Sequence, residues 1–197
     1  QAIFYRKRTS EGWQEEETVD TCSWVAEYPS ITTDSNNFIH VAWEWREYTG
    51  GTYYNKIRYR KKSIGWEPIE AIKEASGTSE QYQEEPNIAL DESDNIHVTW
   101  YGRTFGTYPN KSQVVYRKKA TTGWEDIELV TDVNYDQGFS NISIDSEGNI
   151  RIVWSGFGWG SNPGYFNLKA RKKTNEGWQA IQSITDLAQG QDYPSLF

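Results

Sequence analysis

The sequence predicts an all-β fold, a β-propeller of four-stranded antiparallel blades, with about three full blades and partial blade strands at both termini. Three observations predict it. Four landmarks recur in fixed order: a Tyr-Pro-Ser-Ile type of phrase at Tyr28–Ile31, Glu85–Ile88, Phe139–Ile142 and Tyr193–Leu196; an alternating run at Ile39–Trp43, Ile96–Trp100 and Ile150–Trp154; a basic run opening at Tyr5, Tyr59, Tyr116 and Ala170; and Gly-Trp at Gly12, Gly65, Gly123 and Gly177. Copies lie 53 to 58 residues apart, the extremes being Gly12 to Gly65 and Gly65 to Gly123, a period that signals a repeat architecture. The composition of 10 Trp, 13 Tyr, 7 Phe and 16 Gly in 197 residues suits short strands and tight turns. No stretch of helical period and length competes.

Taken in order, "AIFYRKR" and "GWQEEETV" in residues 1–20 read as strands three and four of a split blade. Blades follow at 28–73, 85–131 and 139–185, and 192–197 reads as the first strand of a further or closing blade. Each full unit holds four strands, as in "PNIALD", "NIHVTW", "QVVYRKK" and "WEDIELV". The links "DSNNF", "DESDN" and "DSEGN" between the first two strands are built of turn formers, so tight hairpins are expected at Asp34, Asp91 and Asp145. In the second strand Ile96, Val98 and Trp100 share one face at period two, while His97 and Thr99 on the other pack against a neighbouring sheet. The Arg-Lys-Lys runs lie beside acidic fourth strands at Glu15–Glu17 and Glu125–Glu128, which implies cross-strand charge pairing. A ring closed by both ends of the chain needs strands one and two from the C-terminal side, and only the first is there. Three readings follow: further sequence beyond Phe197 supplies the missing strand, another copy of the chain supplies it, or a four-bladed ring closes with an imperfect last blade. Because unpaired edges invite association, self-association through the terminal strands is expected.

The formal net charge of -8 disfavours nucleic acid as a partner. Cys22 stands alone, so neither an intrachain disulfide nor a cysteine zinc cluster can form. No apolar run is long enough to insert in a membrane. A start at Gln1 without a leader suits a processed or excised segment, and an extracellular, cell-surface or virion-surface location is expected.

The pattern P-x-I…D-S-x-G-N-I-x-V-x-W…Y-R-K-K…G-W resembles the blades of sialidase-like propellers and related bacterial and phage repeat proteins, over nearly the whole chain. In that family the turn between strands three and four carries an Asp box, Ser-x-Asp-x-Gly-x-x-Trp. Here it reads "TSEGW", "SIGW", "TTGW" and "NEGW", so Gly and Trp survive while the Asp and the spacing do not. The resemblance implies three arginines gripping a substrate carboxylate, a Tyr nucleophile paired with Glu, and an acidic acid/base residue. Arg6, Arg60, Arg117 and Arg171 are one repeat position copied four times, as a scaffold requires. Arg46 and Arg103 follow the second strand in successive units, but the third unit offers Gly156 and Phe157 there. The expectation is a chain without catalytic activity. His40 and His97 share a repeat position with Arg151 and read as half-buried strand residues, and the Asp turns hold too few carboxylates for calcium. No metal or cofactor is expected.

The least repeated segments, "EWREYTGGTYYNK", "YGRTFGTYPNKS" and "SGFGWGSNPGYFN", follow strand two and are rich in Gly, Tyr, Trp and Asn. Flat aromatics beside hydrogen-bonding groups suit sugars, which makes Trp45, Arg46, Tyr101, Arg103, Phe157 and Trp159 the candidate ligand contacts. The same aromatics would also serve to pack loops onto neighbouring blades. The functional expectation is a non-catalytic extracellular scaffold binding glycans or other surface ligands. The alternatives are a self-assembling structural protein in which a neighbouring chain completes the split blade, and a degenerate sialidase-like glycosidase.

Overall fold

The computed structural model describes residues 1–74 and 82–196. Every regular element among them is a strand. A first, partial sheet pairs Ala2–Tyr5 with Glu17–Thr21 and carries the small ladder of Arg8–Thr9 with Gly12–Trp13. The second sheet orders Val25–Thr33, Ile39–Thr49, Thr52–Lys62 and Glu70–Lys73 as an antiparallel meander. The third runs Gln83–Leu90, Ile96–Gly102 and Gln113–Ala120, and the fourth Gln137–Ile144, Ile150–Gly156 and Asn167–Thr174.

In the last two sheets the expected single fourth strand is split into Gly123–Trp124 with Glu128–Leu129, and Gly177–Trp178 with Gln182–Ser183. In the gap Arg117 Nε donates to the Glu125 carbonyl at 2.5 Å, and Arg6, Arg60 and Arg171 do the same to the carbonyls of Gln14, Glu67 and Gln179. Residues 192–196, expected as a first strand, make no strand ladder, although the Leu196 N–H reaches Asn141 Oδ1 at 3.1 Å beside the fourth sheet's first strand.

The hairpins form as the turn chemistry requires. Asp34, Asp91 and Asp145 each accept with Oδ1 from the backbone N–H groups two and four residues on, at 2.9 to 3.1 Å. The left-handed corner falls at Asn37, Asp94 and Gly148, whose φ angles are 61°, 58° and 77°. The same carboxylates hold the histidines: His40 lies between Asp34 Oδ2 at 3.1 Å and the Tyr59 hydroxyl at 2.7 Å, and His97 repeats this with Asp91 and Tyr116 at the same distances. Burial lowers both imidazole pKa values, against the pull of the Asp.

The sheets stack face to face, and the core lies between them. Ala42, Ile57, Tyr59 and Ile72 of the second sheet meet Ile88, Ile96, Val98, Trp100 and Val115 of the third. Val114, Tyr116 and Val130 meet Ile142, Ile150, Ile152 and Trp154 in turn. Each second-strand Trp is fully buried, with its indole N–H on an acceptor: Trp43 on Asp20 at 3.2 Å, Trp100 on Gln83 at 2.7 Å and Trp154 on Gln137 at 2.9 Å.

The charge pairing expected within each sheet instead joins one sheet to the next. Alternate residues of the third strand point across the junction, so Lys62, Lys119 and Lys173 reach Oε1 of Glu17, Glu70 and Glu128 on the preceding sheet. The indole N–H groups of Trp66, Trp124 and Trp178 take Oε2 of the same carboxylates at 3.1, 2.9 and 2.8 Å. Arg60, Arg117 and Arg171 donate to the carbonyls of Val19, Ile72 and Val130 on that strand. The Arg-Lys-Lys…Gly-Trp repeat is thus an inter-sheet clamp. Its charge-assisted bonds satisfy backbone and carboxylate groups that packing would otherwise strand.

Candidate functional site

The first strands of the second, third and fourth sheets each carry a β-bulge, at Glu27–Ser30, Glu84–Asn87 and Gly138–Asn141. At the bulge the backbone turns left-handed at non-glycine residues: Tyr28 at φ 50°, Glu85 at 51° and Phe139 at 54°, with Tyr193 at 53° in the same repeat position. Such conformations cost about 1 kcal/mol or more each. These four residues line one cleft of about 300 Å³, together with Pro29, Pro86 and Pro194. The Phe139 and Tyr193 rings meet there at a tilt of 49°, centroids 4.5 Å apart.

Alongside lies a second cleft of about 190 Å³, lined by Arg46, Tyr53, Asn55, Tyr82 and Glu84. Adjacent residues thus serve the two clefts, Glu85 the first and Glu84 the second. Beneath the second cleft sits Glu44, whose side chain is 0% exposed. Its Oε1 accepts from Arg46 Nη2 at 2.9 Å and from Asn55 Nδ2 at 2.8 Å, while the equally buried Oε2 has no hydrogen-bond partner. Asn55 also reaches Glu84 Oε1 at 3.4 Å, and the Tyr101 hydroxyl donates to Glu84 Oε2 at 2.8 Å.

Burial lifts the Glu44 carboxyl to about 7; the charge of Glu84 adds to this and Arg46 opposes it. Burial, again with Glu84 second, lifts Glu85 to about 7. The Tyr101 phenol is pushed well above its ordinary value by burial and then by Glu84 and Glu85, so it stays protonated and serves as a donor. Two carboxyls poised near neutrality beside a third that is held by a phenol and an amide can move protons at physiological pH. Among the described residues no group of three or more His, Cys, Asp or Glu is arranged to hold a metal ion.

Of the candidates read from the sequence, Arg46 and Tyr101 stand in this cluster, joined through Glu44, Asn55 and Glu84. Trp45 stacks under Arg58 at 3.8 Å and Lys56 at 5.2 Å. Arg103 lies over the Tyr82 ring at 4.5 Å, at the border of the second cleft. Phe157 packs on Phe166 at 3.9 Å, and Trp159 bonds Gln137 at 3.3 Å under Lys169; neither lines the two clefts. The carboxylates Glu44, Glu84 and Glu85 were not among the sequence candidates. The signal that exposes Glu44 and Glu85 is a broken repeat: the residue after the second-strand Trp is Glu44, Tyr101 and Ser155 in successive units, and Glu85 stands where the others have Tyr28, Phe139 and Tyr193.

No protein-family model and no curated protein matches the sequence. Solved structures share the fold. A Hadza microbial sialidase is 12% identical with a TM-score of 0.58, over 78% of this chain and 36% of that one. An ulvan lyase of a polysaccharide lyase family is 12% identical with a TM-score of 0.63, over 89% and 48%. A thermostable family-43 glycoside hydrolase is 10% identical with a TM-score of 0.56, over 95% and 72%. The chain spans 36% of the sialidase and 48% of the lyase. At these identities the likeness is one of fold. It corrects the expectation of a chain without catalytic activity, because the fold is one that glycoside hydrolases and lyases use.

Proposed function

We propose that the stacked sheets are blades of a propeller whose axis is the cleft between Tyr28, Glu85, Phe139 and Tyr193, and that the carboxylate cluster beside it cleaves a glycan by acid/base chemistry. The observation that carries this reading is the buried cluster in which Arg46 and Asn55 hold Glu44 and the Tyr101 hydroxyl donates to Glu84 Oε2 at 2.8 Å, with the next residue, Glu85, lining the adjoining cleft. Burial raises the Glu44 and Glu85 carboxyls. Glu85, facing the larger cleft, donates its proton to the departing glycosidic oxygen as the C–O bond breaks. Glu84, oriented by Tyr101 and Asn55, takes a proton from the attacking water. Arg46 supplies positive charge at the second cleft for an acidic sugar, and Tyr28, Tyr53 and Tyr82 offer flat faces for sugar rings. Glutamate chemistry is preferred here to a Tyr nucleophile, because burial, and then the carboxylates around it, hold the Tyr101 phenol protonated. The neighbouring folds support the substrate class, and the reading includes a location outside the cell or at its surface, where polysaccharides are met.

The test is release of reducing ends from a panel of neutral and acidic polysaccharides, with Glu85→Gln and Glu84→Gln beside the wild-type chain. Turnover is expected to fall by roughly 10²-fold or more in each variant while retention on the polysaccharide persists, as for loss of a general acid or base. Absence of both turnover and retention across the panel rejects the reading.

A further inference from the structure

Each junction between consecutive sheets is closed by the same clamp, and each outer face of the stack carries one half of another. On the first sheet Arg6, Arg8 and Trp13 occupy the positions of Arg60, Lys62 and Trp66. Trp13 is 58% exposed, with the guanidinium groups of Arg6 and Arg8 at 5.9 and 6.0 Å from its ring. Phe4 is exposed on the same face. On the fourth sheet Gln182 and Ile184 occupy the positions of Glu128 and Val130. Val19, Ile72 and Val130 are fully buried beneath the next sheet, whereas Ile184 is 53% exposed and Leu187 is exposed beside it.

The two half-clamps depart from the internal ones in matching ways. Gln182 replaces a carboxylate by a neutral carbonyl acceptor, and Arg8 replaces the Lys ammonium by a fork of donors that such an acceptor can satisfy. We propose that the outer face of the first sheet docks on the outer face of the fourth sheet of a second copy of this chain. Arg8 and Trp13 take the Gln182 side-chain oxygen, Arg6 takes the Ile184 carbonyl, and Phe4 and Trp13 cover Ile184 and Leu187. The contact is head to tail, so it builds a ring or a filament of copies. It stands independently of the glycan reading.

The experiment is sedimentation velocity of the 197-residue chain across a concentration series, with Trp13→Ser and Ile184→Asp as exposed-site variants whose folding is checked by circular dichroism. The wild-type chain is expected to grow in whole-chain steps. Each variant alone is expected to be at least tenfold weaker in association. An equimolar mixture of the two, which retains one intact junction, is expected to stop at a dimer. A wild-type chain that stays monomeric overturns the proposal, as does an assembly that survives both single variants or a mixture that fails to form the dimer.

Discussion

Replacing Glu44 by Gln removes one buried ionisation while keeping the oxygen that accepts from Arg46 and Asn55. In the folded chain burial, then the charge of Glu84, lifts this carboxyl from 4.5 to about 7. Between those values the native state holds a proton that the unfolded chain has lost. Stability from this group is therefore fully present below the unfolded pKa and is lost as pH rises through the folded one. A gap of roughly 2.5 units at about 1.36 kcal/mol per unit amounts to about 3 kcal/mol over the whole window, most of it between pH 5 and pH 8. Urea unfolding of both proteins at those two pH values measures it. Glu85 carries the same sign and the buried histidines the opposite one, but both persist in the variant and cancel in the comparison. The wild-type chain is expected to lose about 2.5 kcal/mol more than Glu44→Gln on going from pH 5 to pH 8. An equal pH slope in the two proteins refutes the argument that Glu44 is held near neutrality by burial.

Glu70→Ala leaves the Lys119 ammonium and the Trp124 indole without their acceptor at the second junction, and is expected to cost about 1–2 kcal/mol in urea unfolding. Gly148→Ala tests backbone strain alone, since an added Cβ there meets nothing within 4 Å while φ is +77°; a loss of about 1 kcal/mol is expected, and an unchanged midpoint refutes it. The imidazole resonances of His40 and His97 are expected to titrate below the ordinary histidine range, because burial opposes their charging. That sign means stability lost as pH falls below the unfolded histidine pKa, and midpoints above 6.5 by NMR contradict it.

The scaffold was legible in the sequence because each of its parts has a local cause. The Asp34, Asp91 and Asp145 hairpins need only their own five residues, and the Trp43, Trp100 and Trp154 faces follow from period two. The basic runs were read correctly as partners of acidic strands but assigned to the wrong pairs. Strand neighbours can be inferred from adjacency, whereas Lys119 and Glu70 lie 49 residues apart and meet only because whole sheets stack. The carboxylate cluster was hidden for a related reason. Glu44 and Glu84 come from different sheets, and their raised or raising effects arise from burial that no single strand pattern displays. The bulge that brings Glu85 to the cleft is likewise a property of paired strands, not of the "EEP" phrase that encodes it.

The left-handed residue of each first-strand bulge separates inheritance of shape from inheritance of chemistry. Its backbone angle is set by the ladder on either side, and Tyr28, Glu85 and Phe139 occupy it at nearly the same φ, which Tyr193 repeats outside any ladder. A duplicated unit can therefore mutate at this one place and alter what the shared cleft presents, while its neighbours go on folding from unchanged instructions. A single substitution at the centre of the frame thus changes the chemistry of the cleft without a new core.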